Sequence, residues 1–216
     1  MLDPRSLRLT VLTSGTLEPL HGHRALARAA VRGGATAVQL RAPELRDEEL
    51  LPLAAELAEQ CHVAGVLFIV NDRLEVALAS GADGVHLGQS DDLPGARQRL
   101  GNHRTLGISV SDTGQAARAE AQGADYLGVT VWSTPTKPGA MGLGPAGIRE
   151  IRGAVGLPLV GIGGIDRTNL GEVFAAGAAG IAVISAVAAA PDPVGATLEL
   201  RRLIDLAEGD HGTTNR

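Results

Sequence analysis

The sequence predicts a (β/α)8 barrel of the TIM type in a single domain. Three observations predict it: a phrase repeated four times, apolar runs alternating with helical patterns, and a length that suits eight such units. The phrase reads RGGATAVQLR, SGADGVHLG, QGADYLGV and AGAAGIAVIS, each with Gly-Ala ahead of a short apolar run. The Gly-Ala pairs begin at residues 34, 81, 123 and 177, which are 47, 42 and 54 apart. A helix that closes on a glycine and turns tightly into a buried strand has this signature. An open doubly wound sheet shares the alternation, but the fourfold spacing and the length favour the closed barrel.

The elements follow in order. LRLTVLT at 7–13 is the first strand, and the first repeated phrase supplies the second, ending in Gln39-Leu40-Arg41. DEELLPLAAELAEQC then carries a helical pattern, VLFIV at 66–70 is the third strand, and the second phrase supplies the fourth. TLGISV at 105–110 and LPLVGI at 157–162 are the fifth and seventh strands, with the third and fourth phrases as the sixth and eighth. Each strand–helix unit takes about 25 residues, as expected for this fold. One unit covers residues 1–216, with a core over about 7–206 and a DHGTTNR tail expected to fray.

Composition narrows the functional classes. Gly 29 and an aromatic content of 2% leave small and branched residues to build the core, which suits strands covered on both faces. A net charge of -5, with no basic tract interleaved with aromatics, argues against general nucleic-acid binding. Cys61 is the one cysteine, so no internal disulfide or cysteine metal cluster is expected; in an amphipathic helix it reads as buried and inert. Asp3, Arg5 and Arg8 break the N-terminus as a signal peptide, and no apolar run approaches the roughly 20 residues of a membrane helix. A cytoplasmic protein with no membrane or nucleic-acid partner is the expectation, and a homo-oligomer is compatible with the sequence. Basic residues number 19, and Lys137 in WSTPTKP is the only lysine among them.

In such a barrel the active site lies at the C-terminal ends of the strands. Polar residues fall there repeatedly. Gln39 and Arg41 share a face by the two-residue period. Asn71-Asp72-Arg73 ends the third strand, HLGQSDD follows the fourth, Ser109 ends the fifth, and WSTPTKP, GIGGID and VISA follow the last three. Asp72 and either Asp91 or Asp92 follow neighbouring strands, so two carboxylates could hold a hard cation such as Mg²⁺ beside substrate phosphates. Taken singly, each reads equally well as a helix N-cap. GIGGID and IAVIS suit a phosphate site, with Gly164, Ile184 and Ser185 as its donors. Arg41 and Lys137 would be cations on the other side of the mouth. Two anion sites imply two phosphorylated small-molecule substrates. His86 reads as a packed or hydrogen-bonded residue and Trp132 as a packing residue.

The segments FIVNDRLEVALASGADGVHLGQSD, STPTKPGAMGLG and LPLVGIGGIDRTNLGEVFAAGAAGIAVIS closely resemble the thiamine phosphate synthase family, in order, over about residues 8–190. The resemblance implies a barrel enzyme, a transferase. It would join hydroxymethylpyrimidine diphosphate to thiazole phosphate, giving thiamine phosphate and pyrophosphate. It also implies roles: Gln39, Arg41, Asn71, Ser109 and Lys137 on the pyrimidine diphosphate, and Asp72 and Asp91 on Mg²⁺. Thr134, Thr136, Gly164, Ile184 and Ser185 would hold the thiazole phosphate, and Arg41 and Lys137 would act in catalysis. Two departures stand out. Pro43 occupies the place of a family lysine, and Thr130-Val131 stands where Gly-Pro is expected, in a loop one residue shorter. Thiazole tautomerase relatives carry a histidine near Thr130, and its absence counts against that reading. A non-catalytic thiamine phosphate-binding protein is a further alternative, opposed by the retained Asp72 and Asp91; a generic phosphosugar isomerase barrel is the fallback.

Overall fold

Eight parallel strands close into a barrel in sequence order, each paired with its chain neighbours and the last with the first. They are β1 (Leu9–Leu12), β2 (Ala37–Leu40), β3 (Leu67–Asn71), β4 (Gly84–Leu87), β5 (Thr105–Val110), β6 (Tyr126–Thr130), β7 (Leu159–Ile162) and β8 (Gly180–Val183). The computed structural model describes residues 2–14, 22–133 and 141–211. Closure runs through Leu9↔Ile181, Thr10↔Ala182 and Val11↔Val183.

The helices between strands are α1 (His23–Arg32), α2 (Asp47–Val63), α3 (Leu74–Ala79), α4 (Leu93–Leu100), α5 (Thr113–Ala121), α6 (Gly144–Ala154) and α7 (Leu170–Ala175). After β8 come the single-turn α8 (Ser185–Ala188) and the long α9 (Pro193–His211). The first strand is shorter than its apolar run, because Leu7 belongs to a 3-10 turn (Pro4–Leu7) that covers the barrel's N-terminal mouth. That turn lies so close to Gly180 that a Cβ there would fall 1.9 Å from the Leu7 carbonyl oxygen. Asp210 and His211 of the tail lie in α9, and residues 212–216 lie outside the described residues. Among the described residues no helix is long and apolar enough to cross a membrane.

Side chains alternate as the strand period requires. Leu9, Val38, Val70, Val85, Ile108, Val129, Leu159 and Ile181 point outward into the large core under the helices. Leu12, Tyr126, Val160 and Ala182 point inward and form a small apolar cluster with Leu7. Cys61 is buried on α2, and burial, aided by the Asp83 carboxylate, pushes its thiol up to about 12, so it is unreactive at neutral pH.

The repeated phrase proves to be a clamp between strands. Gly34, Gly81, Gly123 and Gly177 all have positive φ, between 79° and 97°, where a Cβ would be strained. The following alanines, Ala35, Ala82, Ala124 and Ala178, are buried. The next residue then reaches the strand before it. The N–H groups of Thr36, Asp83, Asp125 and Ala179 donate to the carbonyls of Leu9, Phe68, Leu106 and Leu159. In three of the four phrases the side chain completes a ring. Thr36 Oγ1 accepts from Leu9 N–H at 2.9 Å, Asp83 Oδ2 from Phe68 N–H at 2.7 Å and Asp125 Oδ2 from Leu106 N–H at 2.8 Å. Asp125 also takes Arg97 Nη2 at 2.6 Å.

Asp83→Ala strips Phe68 N–H of its acceptor, and loss of a partner from a buried donor costs about 1–3 kcal/mol. Urea unfolding is expected to show that loss with an unchanged slope. Asp83→Asn keeps an acceptor oxygen and is expected to lose less than half as much.

Candidate active site

At the opposite mouth the strand ends enclose a cavity of about 280 Å³. Its wall includes Gln39 and Arg41 from the end of β2, Asn71 and Asp72 from β3, and His86 and Gly88 from β4. Ser109, Tyr126 and Thr130 continue it, and the turn over Gly163-Gly164, with Ile184 and Ser185, completes the ring. The floor is the inward apolar cluster.

The end of β2 is gripped from β1. Thr13, fully buried, donates its N–H to the Gln39 carbonyl at 3.0 Å and accepts Arg41 N–H on Oγ1 at 3.0 Å. Both hydrogen bonds fix where the Arg41 side chain starts. Among the described residues its guanidinium makes no ion pair, so it is available to an anionic ligand. The chain then turns, with Leu45 N–H donating to the Ala42 carbonyl at 3.2 Å. Pro43 takes the second position of this turn, where its fixed φ is favoured. Glu44 comes next and meets His23 Nε2 at 2.9 Å, tying the segment to α1.

Asp72 is the only described non-glycine residue with positive φ, at 62°. Arg73 N–H donates to the Asn71 carbonyl across it at 2.8 Å, making a three-residue turn. Its own N–H donates to the His86 carbonyl at 2.9 Å, one step beyond the end of the β3–β4 ladder. The residue at the N-cap of α3 is Arg73, one place beyond Asp72. Asp92 is a cap: its side chain accepts from Gly95 N–H at the start of α4. Asp91 does neither. Its Oδ2 accepts the N–H of Gly88 at 2.7 Å, and Gly88 lines the cavity while Asp91 lies in the adjoining groove between α4 and α5.

His86 bridges two strands. Its Nδ1 lies 2.9 Å from the Tyr126 hydroxyl and its Nε2 3.0 Å from Ser109 Oγ. Burial, then the Asp125 carboxylate, push the Tyr126 phenol well above its ordinary value, so it keeps its proton. At the far side Asn169 Nδ2 donates to the Gly164 carbonyl at 2.8 Å, holding the turn after β7. Asp166 braces the same turn; the Thr168 hydroxyl and then the Thr168 N–H hold its carboxyl below the usual range. Val187 and Ala188 N–H groups both donate to the Ile184 carbonyl, so α8 starts at Ser185 with its first turn facing the cavity.

A ring of polar strand ends above an apolar floor is a pocket for small molecules with anionic parts. The model of the thiamine monophosphate synthase family matches residues 10–187. The chain belongs to the thiamine monophosphate synthase family. It is 49% identical over 187 residues to the thiamine-phosphate synthase of Moorella thermoacetica, covering 85% of this chain and 89% of that one. It is 46% identical over 204 residues to that of Chloroflexus aurantiacus, covering 93% and 94%. The thiamine phosphate pyrophosphorylase of Pyrococcus furiosus is similar in structure, with a TM-score of 0.86 and 37% identity over 94% of this chain and 98% of that one. A 3-hexulose-6-phosphate synthase, 20% identical with a TM-score of 0.71, shares the fold. As a member of this synthase family the chain is an enzyme of the transferase class.

Of the site residues expected in this family member, Gln39, Arg41, Asn71, Asp72, Ser109, Gly164, Ile184 and Ser185 come together on one cavity. Asp91 stands one hydrogen bond away from it. Thr134, Thr136 and Lys137 lie outside the described residues. The ends of their segment are pinned at the rim: Trp132 N–H donates to the Gly163 carbonyl at 3.3 Å, and Gly142 N–H to Ser133 Oγ at 3.3 Å. Trp132 packs on the core, as expected of it. Tyr126 and Thr130 were not among the expected residues. Their position one period below and one at the end of β6 is the signal that would have found them, since both share parity with the inward Gly128.

The Asp72 backbone predicts a stability ranking. Glycine and asparagine accept positive φ more readily than alanine, which is strained there by about 1 kcal/mol. Thermal unfolding is expected to place Asp72→Gly and Asp72→Asn at or above the stability of Asp72→Ala.

Proposed function

We propose that the enzyme joins hydroxymethylpyrimidine diphosphate to thiazole phosphate, forming thiamine phosphate and releasing pyrophosphate. The observation that carries the proposal is the convergence of Gln39, Arg41, Asn71, Asp72 and Ser109 on one cavity with the Gly164 and Ser185 turns opposite. Family membership supports the same reading.

The reaction breaks the bond from the exocyclic CH₂ to the diphosphate oxygen, which leaves with the electron pair. The electron-rich aminopyrimidine spreads the positive charge left on carbon. The thiazole nitrogen then supplies its lone pair to that carbon, and the product keeps the positive charge on the ring. No protein nucleophile is required. Gln39, Asn71 and Ser109 would hold the pyrimidine. Arg41 and Lys137 would meet the diphosphate, where charge builds as the bond breaks and where fixed cations act most strongly in a site shielded from water. Thr134, Thr136, Gly164, Ile184 and Ser185 would take the thiazole phosphate. Holding two rings in line supplies much of the rate.

Among the described residues no three of His, Cys, Asp and Glu gather into a metal cage. Two hard carboxylates beside a phosphate-binding mouth are nevertheless the donor set that Mg²⁺ uses when substrate oxygens and water complete its shell. Asp72 and Asp91 would hold it, and when bound it would neutralise diphosphate charge. With Pro43 committed to a turn, no lysine stands two residues beyond Arg41, so Lys137 is the one ammonium that the chain can offer the leaving group. A compact ammonium meets a single oxygen as a point charge, whereas a guanidinium is a wide planar fork.

The test is pyrophosphate release with both substrates and Mg²⁺. Turnover is expected; none from folded protein would overturn the reading. Asp72→Asn, which keeps the turn but removes the charge, is expected to lower kcat at least about 100-fold, a typical effect of deleting one group that stabilises developing charge. Lys137→Arg is expected to lose most activity with an unchanged unfolding curve, and near-normal turnover would remove Lys137 from the mechanism.

A further inference from the structure

Behind Ser109 the cavity wall holds a part-buried hydrogen-bond chain through His86 to Tyr126, two residues that the reaction above does not use. Residues His86, Gly107 and Tyr126 stand side by side across β4, β5 and β6, since His86 pairs with Gly107 and Gly107 with Tyr126. All three point into the barrel. A Cβ on Gly107 would lie 2.2 Å from the Tyr126 ring, and one on Gly128 would lie 2.9 Å from His86 Cε1. Two missing side chains therefore make room for the phenol to reach across a strand to the imidazole. The rings pack with centroids 5.4 Å apart, tilted by 40°. Tyr126 is 3% exposed, and its hydroxyl contacts His86 Nδ1.

The chemistry of this pair fixes the direction of each hydrogen bond. A buried phenol that retains its proton must donate it, because an O–H without an acceptor there costs about 1–3 kcal/mol. His86 Nδ1 is the acceptor within reach, so it carries no hydrogen. The ring hydrogen then sits on Nε2 and is donated to Ser109 Oγ. A serine hydroxyl has one hydrogen. With its oxygen accepting from His86, Ser109 is set to donate that hydrogen into the cavity.

We propose that Tyr126 is a positioning residue that sets the tautomer of His86 and thereby makes Ser109 an obligatory hydrogen-bond donor to the bound ring. The proposal rests on the assignment of this cavity to the aminopyrimidine. A ring nitrogen with a bare lone pair satisfies Ser109, whereas a ring presenting N–H or C–H at that point leaves a buried donor unpaired. Sites built around such a donor reject analogues that cannot accept from it far more strongly than apolar pockets reject a change of size. The relay thus selects for the ring and leaves the diphosphate chemistry to Arg41, Asp72 and Lys137.

The test has one arm that needs no turnover. In ¹⁵N-histidine-labelled protein at pH 8, His86 is expected to show the Nε2–H tautomer, with Nδ1 at the shift of an acceptor nitrogen. In Tyr126→Phe, which keeps the ring and loses only the hydroxyl, that signature is expected to change. A protonated Nδ1 in the wild type, or an unchanged tautomer in Tyr126→Phe, would overturn the proposal even in an inactive protein. The kinetic arm is a double-mutant cycle. Tyr126→Phe is expected to raise KM for the pyrimidine substrate about tenfold, the scale of one hydrogen bond, with KM for the thiazole substrate unchanged. In a Ser109→Ala background the same substitution is expected to add less than a further twofold. Full additivity would show that Tyr126 does not act through Ser109. Absence of turnover in the wild type would instead count against the proposed reaction, with the tautomer still read by NMR.

Discussion

The fold depends on the register of its strands, and that register is held by the Gly-Ala clamp at the N-terminal mouth. In β3 the clamped residue is Phe68 and the site residue is Asn71; in β5 they are Leu106 and Ser109. Three residues separate clamp from site in each, about 10 Å of strand. A slip of one residue would turn Asn71 and Ser109 out of the barrel and into the apolar layer under the helices. The clamp therefore does more than add stability. It decides which side chains arrive at the other mouth. The division matches the general rule for this architecture, in which one mouth carries stability and the other chemistry.

The same reasoning explains what was legible in the sequence. The clamp needs a positive-φ glycine and a small buried residue in fixed order, followed in three of the four by a short acceptor, so it leaves a written repeat, and the barrel follows from it. Strand parity then put Gln39 and Arg41 on one face, and the strand ends put Asn71 and Ser109 at the same mouth. Other features leave no such mark. The positive φ of Asp72 depends on a hydrogen bond from Arg73 back to Asn71, and the sequence NDR reads equally well as the start of a helix. Asp91 and Asp92 are neighbours of the same type; only the backbone partners, Gly88 for one and Gly95 for the other, distinguish them. The link between His86, Tyr126 and Ser109 joins three strands, and the glycines that permit it look in sequence like any others.

Pro43 shows how a departure from a family pattern can be read physically. A lysine at that place would be a free cation near the mouth. Proline is instead the second residue of a tight turn, and the turn delivers Glu44 to His23 on α1. The segment after β2 is thereby tied at both ends, to Thr13 through Arg41 and to His23 through Glu44. The turn and its two ties make a fixed frame around Arg41. Lys137 stands apart in a chain whose other basic residues are all arginine.

Tyr126 joins the two halves of the barrel interior. Its ring belongs to the inward apolar cluster with Leu12, Val160 and Ala182, while its hydroxyl is the first member of a polar chain that ends at the cavity wall. An amphipathic ring of this size is suited to such a boundary. Phenylalanine would fill the same space and leave the imidazole free to adopt either tautomer. Histidine at 86 with phenylalanine at 126 would still give a packed floor, but Ser109 could then accept as readily as donate. The hydroxyl of a single buried tyrosine thus couples the packing of the barrel to the direction of a hydrogen bond in its active site.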